Sequence, residues 1–292
     1  MTALSRLAHR RPTLLGWISF LAIASLLVAP ILLTGPTDAT GGTGRLDLTG
    51  TPASSLFQWI YAGIVIAVIW ALGWGHRTTL VGRSDREGLK LWAWFAVPLG
   101  LIYLAVISAA LAMPARPDVV QALVWTAVFA LAVGVAEEVL FRGLLMSTLR
   151  ARLSAGRALV VCSAIFAVAH AGNALWGQSP LLTVQQVGFT FAIGALFGAI
   201  ALQTASLWPA ILLHAGWDAY AISALLIDAP GTTDHAVTAE GRLASTEAEL
   251  GVLIAALTAI LLIGGLARLV FVRWRRRTAS GGGRPPPLPS RD

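Results

Sequence analysis

Charge is what this chain has least of. Only 12% of its 292 residues are Asp, Glu, Lys or Arg, while 57% are hydrophobic and the mean hydropathy is +0.75. Soluble domains carry roughly 25% charge, so composition excludes an ordinary water-soluble globule. Cysteine is nearly absent too. Cys162 stands alone in an apolar run, so no disulfide framework can form within the chain, and the thiol reads as a small buried filler. The sequence has no internal repeat, no Gly-rich phosphate loop of recognised spacing, no Gly-x-Ser-x-Gly elbow and no contiguous His-Glu-x-x-His zinc signature. A serine triad is therefore the less attractive chemistry, and a metal is not required.

What the chain does have is long apolar runs. At least about 18 mostly apolar residues are needed to cross a bilayer as a helix. Eight segments qualify: 14–33, 56–74, 91–113, 119–149, 158–176, 184–202, 207–227 and 250–272. The expected fold is all-α, a polytopic transmembrane helix bundle of about eight spans. The first run follows basic residues and imitates a signal peptide, but it exceeds the roughly 7–15 residues of a cleaved h-region, so an uncleaved first helix is expected. The fourth run is over-long, which predicts a tilted helix or one extended at its cytosolic end.

The net charge of +7 is gathered into clusters at 6–11, 76–90, 150–157 and 273–277, each beside an apolar run. The positive-inside rule accounts for them, which leaves no free basic face for nucleic acid. With the N-terminus in the cytosol, all four clusters fall on one side. The opposite loops, at 34–55 and 228–249, are rich in Gly, Thr, Ser, Asp and Glu. An integral plasma-membrane protein with both termini cytosolic is expected. Four regions follow: three N-terminal spans (1–118), a four-span core (119–227), an extracytoplasmic loop with the last span (228–272), and a disordered tail (273–292). The tail holds "RPPPLP", which could form a polyproline helix for a cytosolic partner, although an inert tail is the simpler expectation.

Few ionisable side chains lie within the spans. Three patterns hold them: "EEVLFR" (Glu137, Glu138, Arg142), "FAVAH" (Phe166, His170) and "HAGWD" (His214, Asp218). At 1.5 Å per residue, Glu138 lies ~17 Å from the cytosolic end of its span, His170 ~20 Å, and His214 and Asp218 ~10 and ~17 Å. Each pattern alone has a packing explanation, because polar groups can lock helices together. Convergence of three at similar depth predicts a polar intramembrane cavity with a function.

Glu138 and Arg142 are spaced i,i+4 and share a helical face, which predicts an ion pair. Glu137 is turned by ~100° from that face, which leaves its carboxylate for chemistry directed toward His170 and the "HAGWD" helix. His214 and Asp218 are also i,i+4, so Asp218 can fix the imidazole's tautomer. A carboxylate with an imidazole can draw a proton from water, and a second imidazole can stabilise an oxyanion, which together describe amide hydrolysis. Zinc is the alternative, held by His170 and His214 with Glu137 or Asp218. A proton-coupled transporter would also use buried carboxylates, but broken helices in a repeated arrangement are lacking.

The ordered motifs Glu-Glu-x-x-x-Arg, Phe-x-x-x-His and His-x-x-x-Asp resemble the CPBP family of intramembrane proteases, which includes CAAX-processing (Rce1-like) and bacteriocin-processing enzymes. The resemblance covers about 110 residues of the core. It implies an endopeptidase whose Glu137 and His170 activate water, whose His214 and Asp218 bind the oxyanion or complete the site, and whose Glu138 and Arg142 support it. The implied partners are a membrane-associated peptide or a prenylated protein, together with membrane lipid. Asp218 stands where the eukaryotic CAAX enzymes have Asn. An ionised Asp would repel an oxyanion, so Asp218 has to be protonated, paired with His214, or used to orient it. The competing expectation is a non-catalytic membrane scaffold or bacteriocin-immunity protein of the same fold.

Overall fold

The computed structural model describes residues 2–34, 52–81, 84–112, 119–176, 178–228 and 239–280. Local chemistry starts the helices where the sequence punctuates them. Thr2 accepts a hydrogen bond from the Ser5 amide and opens α1 (Ala3–Arg10), and Pro12 then begins α2 (Pro12–Thr34). Pro52 likewise begins α3 (Pro52–Ala71), and Asp85 caps α4 (Arg86–Leu111) by accepting from the Gly88 amide at 2.7 Å.

The fourth apolar run is not one regular helix. It comprises α5 (Val119–Glu138), a π-helical stretch (Val139–Leu145) and α6 (Met146–Leu149). The Met146 amide reaches back five residues to the Phe141 carbonyl, the hydrogen bond of a widened turn. The over-length expected from the sequence is therefore partly taken up by this extra-wide turn, which needs more residues per rotation than an α-helix. α7 (Ala155–His170) runs into a 3₁₀ segment (Ala171–Trp176), where the sequence suggested one continuous span. α8 (Pro180–Thr204) and α9 (Trp208–Asp228) form the expected hairpin, turned by Ala205 at φ 53°.

α10 (Ala239–Ala279) is longer than its apolar part at both ends. Residues 239–249, expected in a loop, are helical, as suits their content of Ala, Glu and Leu. The helix also continues through Arg273 to Ala279, so the start of the expected disordered tail is helical. Basic residues in a last turn complement the helix dipole, and Arg277 pairs with Asp85 at 3.0 Å. The remaining loop expectations at 35–51 and 229–238, and the polyproline segment, lie outside the described residues.

Among the described residues there is no strand, and five helices are long and apolar enough to cross a membrane. This is an all-α, multi-span membrane helix bundle. A bilayer demands that backbone polar groups be satisfied within each segment, and helices meet that demand. α5 packs between α3 and α9, α8 lies against α7 and α10, and α4 leans on α9. α4 is peripheral: Trp94, Leu101 and Leu104 are largely exposed, an apolar surface suited to lipid. Its Trp92 indole N–H donates to the Pro209 carbonyl at 2.9 Å and ties it to α9.

One end of the bundle collects many helix termini. The Arg152 guanidinium meets Thr13 at the start of α2, and Asp85 joins the ends of α8 and α10 through the Thr204 carbonyl and Arg277. The Leu207 amide donates to the Thr79 carbonyl, and the Ser147 carbonyl accepts from Arg77 at 3.5 Å. Three of the four basic clusters, those at 76–90, 150–157 and 273–277, therefore contribute to this same end.

Candidate active site

The site exists because two helices approach unusually closely. A Cβ on Gly134 would lie 2.9 Å from the Ile211 carbonyl oxygen and 3.1 Å from the Ala215 amide nitrogen, so only glycine permits this crossing of α5 and α9. About one turn further along α5 come Glu137 and Glu138, and between Ile211 and Ala215 on α9 sits His214. Gly134→Val should push the helices apart and separate Glu138 from His214. The expected result is a lower melting temperature together with loss of function, checked by melting the purified variant alongside Gly134→Ala, which should be milder.

Glu138 is fully buried and its Oε1 accepts two charge-assisted hydrogen bonds. Arg142 donates from Nη1 at 2.8 Å, and His214 donates from Nδ1 at 2.8 Å. The expected Glu138–Arg142 pair is present, and it is wider than a local brace because it also holds His214 on another helix. Arg142 completes its own bonding across the bundle. Its Nη2 donates to the Gly194 carbonyl on α8 at 3.0 Å, and its guanidinium lies 4.2 Å from the centre of the Phe166 ring. A Cβ on Gly194 would come within 2.8 Å of that Nη2 and 2.9 Å of Phe166, so a second glycine makes room for the guanidinium.

Because Nδ1 of His214 donates to Glu138, that nitrogen carries hydrogen and Nε2 faces the other way. Nε2 lies 3.5 Å from Asp218 Oδ2 and 3.7 Å from Glu137 Oε2. These separations are long for direct hydrogen bonds, and Glu137 Oε2 has no hydrogen-bond partner among the described residues. The ring is held between the Phe197 ring, 5.3 Å away at a tilt, and the Phe166 ring at 6.0 Å, nearly perpendicular. The two adjacent glutamates thus converge on one imidazole, one at each nitrogen. Helical phase had assigned them to different neighbours.

His170 is placed differently. Its Nδ1 donates to the Phe166 carbonyl at 2.9 Å, which leaves Nε2 as the acceptor in the neutral ring. Its ring stands edge-on to Phe166, with centres 4.8 Å apart. No ion pair joins His170 to a carboxylate among the described residues, and the Phe166 ring touches both His170 and His214. Nor is any group of three or more His, Cys, Asp or Glu side chains among the described residues placed to hold a metal ion. The donor set considered for zinc is not assembled there. Sequence reasoning missed Gly134, Gly194 and Phe197, whose roles depend on which helices meet. Cys162 is buried as expected, and its thiol donates to the Phe141 carbonyl within the π-helical stretch at 3.2 Å.

A buried imidazole held between carboxylates, on helices of a membrane bundle, supports a hydrolase. The stretch 119–220 matches the family of Type II CAAX prenyl endopeptidase Rce1-like proteins. That stretch runs from the first residue of α5 into α9 and contains Glu137, Glu138, Arg142, His170, His214 and Asp218. No curated protein and no solved structure matches the chain.

Proposed function

We propose that the chain is an intramembrane endopeptidase that hydrolyses a peptide bond of a membrane-associated or lipid-modified peptide or protein with water. The observation that carries this reading is the linkage Arg142–Glu138–His214, which aims His214 Nε2 at Glu137 and Asp218. Glu137, whose Oε2 is buried with no hydrogen-bond partner among the described residues, takes a proton from a water molecule as the water oxygen attacks the scissile carbonyl carbon. His214, carrying hydrogen on both nitrogens, offers Nε2–H to the developing oxyanion, while Asp218 steadies that side of the ring. The carbon–nitrogen bond then breaks, and the proton held by Glu137 passes to the leaving nitrogen. His170, with Nε2 free to accept, orients the water. Glu138 and Arg142 touch no reacting atom and position His214.

The same reading places eight spans in the plasma membrane around a polar cavity, with both termini in the cytosol and the core at 119–227. The gathering of Arg77, Arg150, Arg152 and Arg277 at one end of the bundle supports that orientation. A lipid-modified substrate agrees with the matched family's description as a prenyl endopeptidase. The test compares terminal peptides from membranes of cells making the wild-type chain or His214→Ala. Specific new protein termini should be present with the former and absent with the latter. Identical terminal profiles would sink the protease reading.

A further inference from the structure

Away from the imidazole, two arginines line one cleft with no acidic partner among the described residues. Arg77, in the turn after α3, and Arg150, at the C-cap of α6, line a narrow cleft with Thr78, Thr79, Ser147 and Arg142. Arg77 lies over the Trp74 ring at 4.4 Å, and its Nη2 reaches the Ser147 carbonyl only at 3.5 Å. Its Nε is buried with no hydrogen-bond partner among the described residues. Neither Arg77 nor Arg150 has an acidic partner among the described residues, and Arg142 is already engaged with Glu138. Burial, followed by the positive charge of Arg150, lowers the Arg77 guanidinium to about 10, and burial lowers Arg150 as well. Two like charges held together in a partly dry place are costly unless an anion joins them. The turn that carries Arg77 also holds Thr79 at φ 58°, a conformation a β-branched residue rarely adopts and one that often marks functional sites.

We infer that the Arg77–Arg150 cleft binds the phosphate of an anionic phospholipid headgroup. Planar guanidinium forks suit phosphate oxygens, and both side chains are partly exposed, so a ligand can reach them. The cleft lies where α3 and α6 end, at the depth of headgroups when those apolar helices fill the bilayer, and basic pockets between membrane helices on the cytosolic side recognise such groups. The cleft shares only Arg142 with the linkage to the imidazole, and the test varies Arg150 alone, so it does not depend on the protease reading.

The experiment melts the full-length protein in an uncharged detergent with short-chain phosphatidylglycerol, short-chain phosphatidylcholine or inorganic phosphate. Phosphatidylglycerol near 100 times its Kd should raise the melting temperature by about 4 °C, phosphatidylcholine by much less. Arg150→Gln should lose that rise, and without lipid it should melt at or above the wild-type temperature because a like-charge repulsion is relieved. Arg150→Lys, which keeps the charge and loses the fork, should retain part of the rise. A shift from inorganic phosphate but none from phosphatidylglycerol would overturn the lipid in favour of a soluble phosphate. No shift from either, or a lower melting temperature for Arg150→Gln without lipid, would overturn the site.

Discussion

Glu137→Ala should reduce peptide-bond cleavage by about 100-fold to 10,000-fold, the range lost when a general base is removed. Stability should move the other way. Glu137 Oε2 is buried without a hydrogen-bond partner among the described residues, and His214 Nε2 lies 3.7 Å away. A poorly satisfied carboxylate in a half-buried site costs stability, so removing it should leave the melting temperature unchanged or raised. Glu137→Gln keeps the shape while lacking the basic oxygen, and it should be equally inactive and equally well folded. Cleavage is followed on a substrate found by comparing terminal peptides, and melting is measured on the same preparations. Full activity in either variant would remove Glu137 from the chemistry. A cellular phenotype that persists in Glu137→Gln would favour the scaffold or immunity alternative.

Arg142→Met should be among the most destabilising single substitutions, at about 3–5 kcal/mol, because it leaves the Glu138 carboxylate buried without its permanent cation. Glu138 Oε1 would keep only His214, and the Gly194 carbonyl would lose its donor. Arg142→Lys should not rescue fully, since an ammonium cannot reproduce the fork that serves Glu138 and Gly194 while lying over Phe166. The double variant Glu138→Gln with Arg142→Met removes both charges and should recover part of the loss, so the two single effects will not add. Chemical or thermal unfolding of the wild type, Glu138→Gln, Arg142→Met and the double variant measures the cycle. Wild-type stability in Arg142→Met would show that the linkage holds nothing together.

The all-helical class was legible because long uncharged runs leave little choice in a bilayer. The polar residues of the site were legible for the complementary reason, since charges are so rare in those runs that each demands an explanation. The Glu138–Arg142 pair followed directly from i,i+4 spacing. The separation of Glu137 from Glu138 did not survive in that form. A difference of ~100° in phase points two side chains apart on an isolated helix. When α9 is drawn in at Gly134, however, both long side chains reach the same ring from opposite sides. The widened turn at Val139–Leu145 was also hidden, because "VLFRGLL" carries no proline and reads as ordinary helix. Its contacts are with neighbours that only the folded bundle brings close: the Cys162 thiol at the Phe141 carbonyl, and Arg142 reaching to α8.

That widened turn makes the fourth apolar run an offset coupling. A turn closed over five residues takes one residue more than an α-turn, so everything beyond it is rotated by roughly one residue's angle, ~100°, relative to a straight helix. Upstream, α5 keeps one register against α3 and α9; downstream, α6 keeps another against α2 and α7. Arg142 sits inside the offset, free of either register, and can join a carboxylate on its own helix to a carbonyl on α8. The half that carries Glu137 and Glu138 and the half that ends at Arg150 therefore meet their neighbours on different faces, joined by the seven residues of the widened turn.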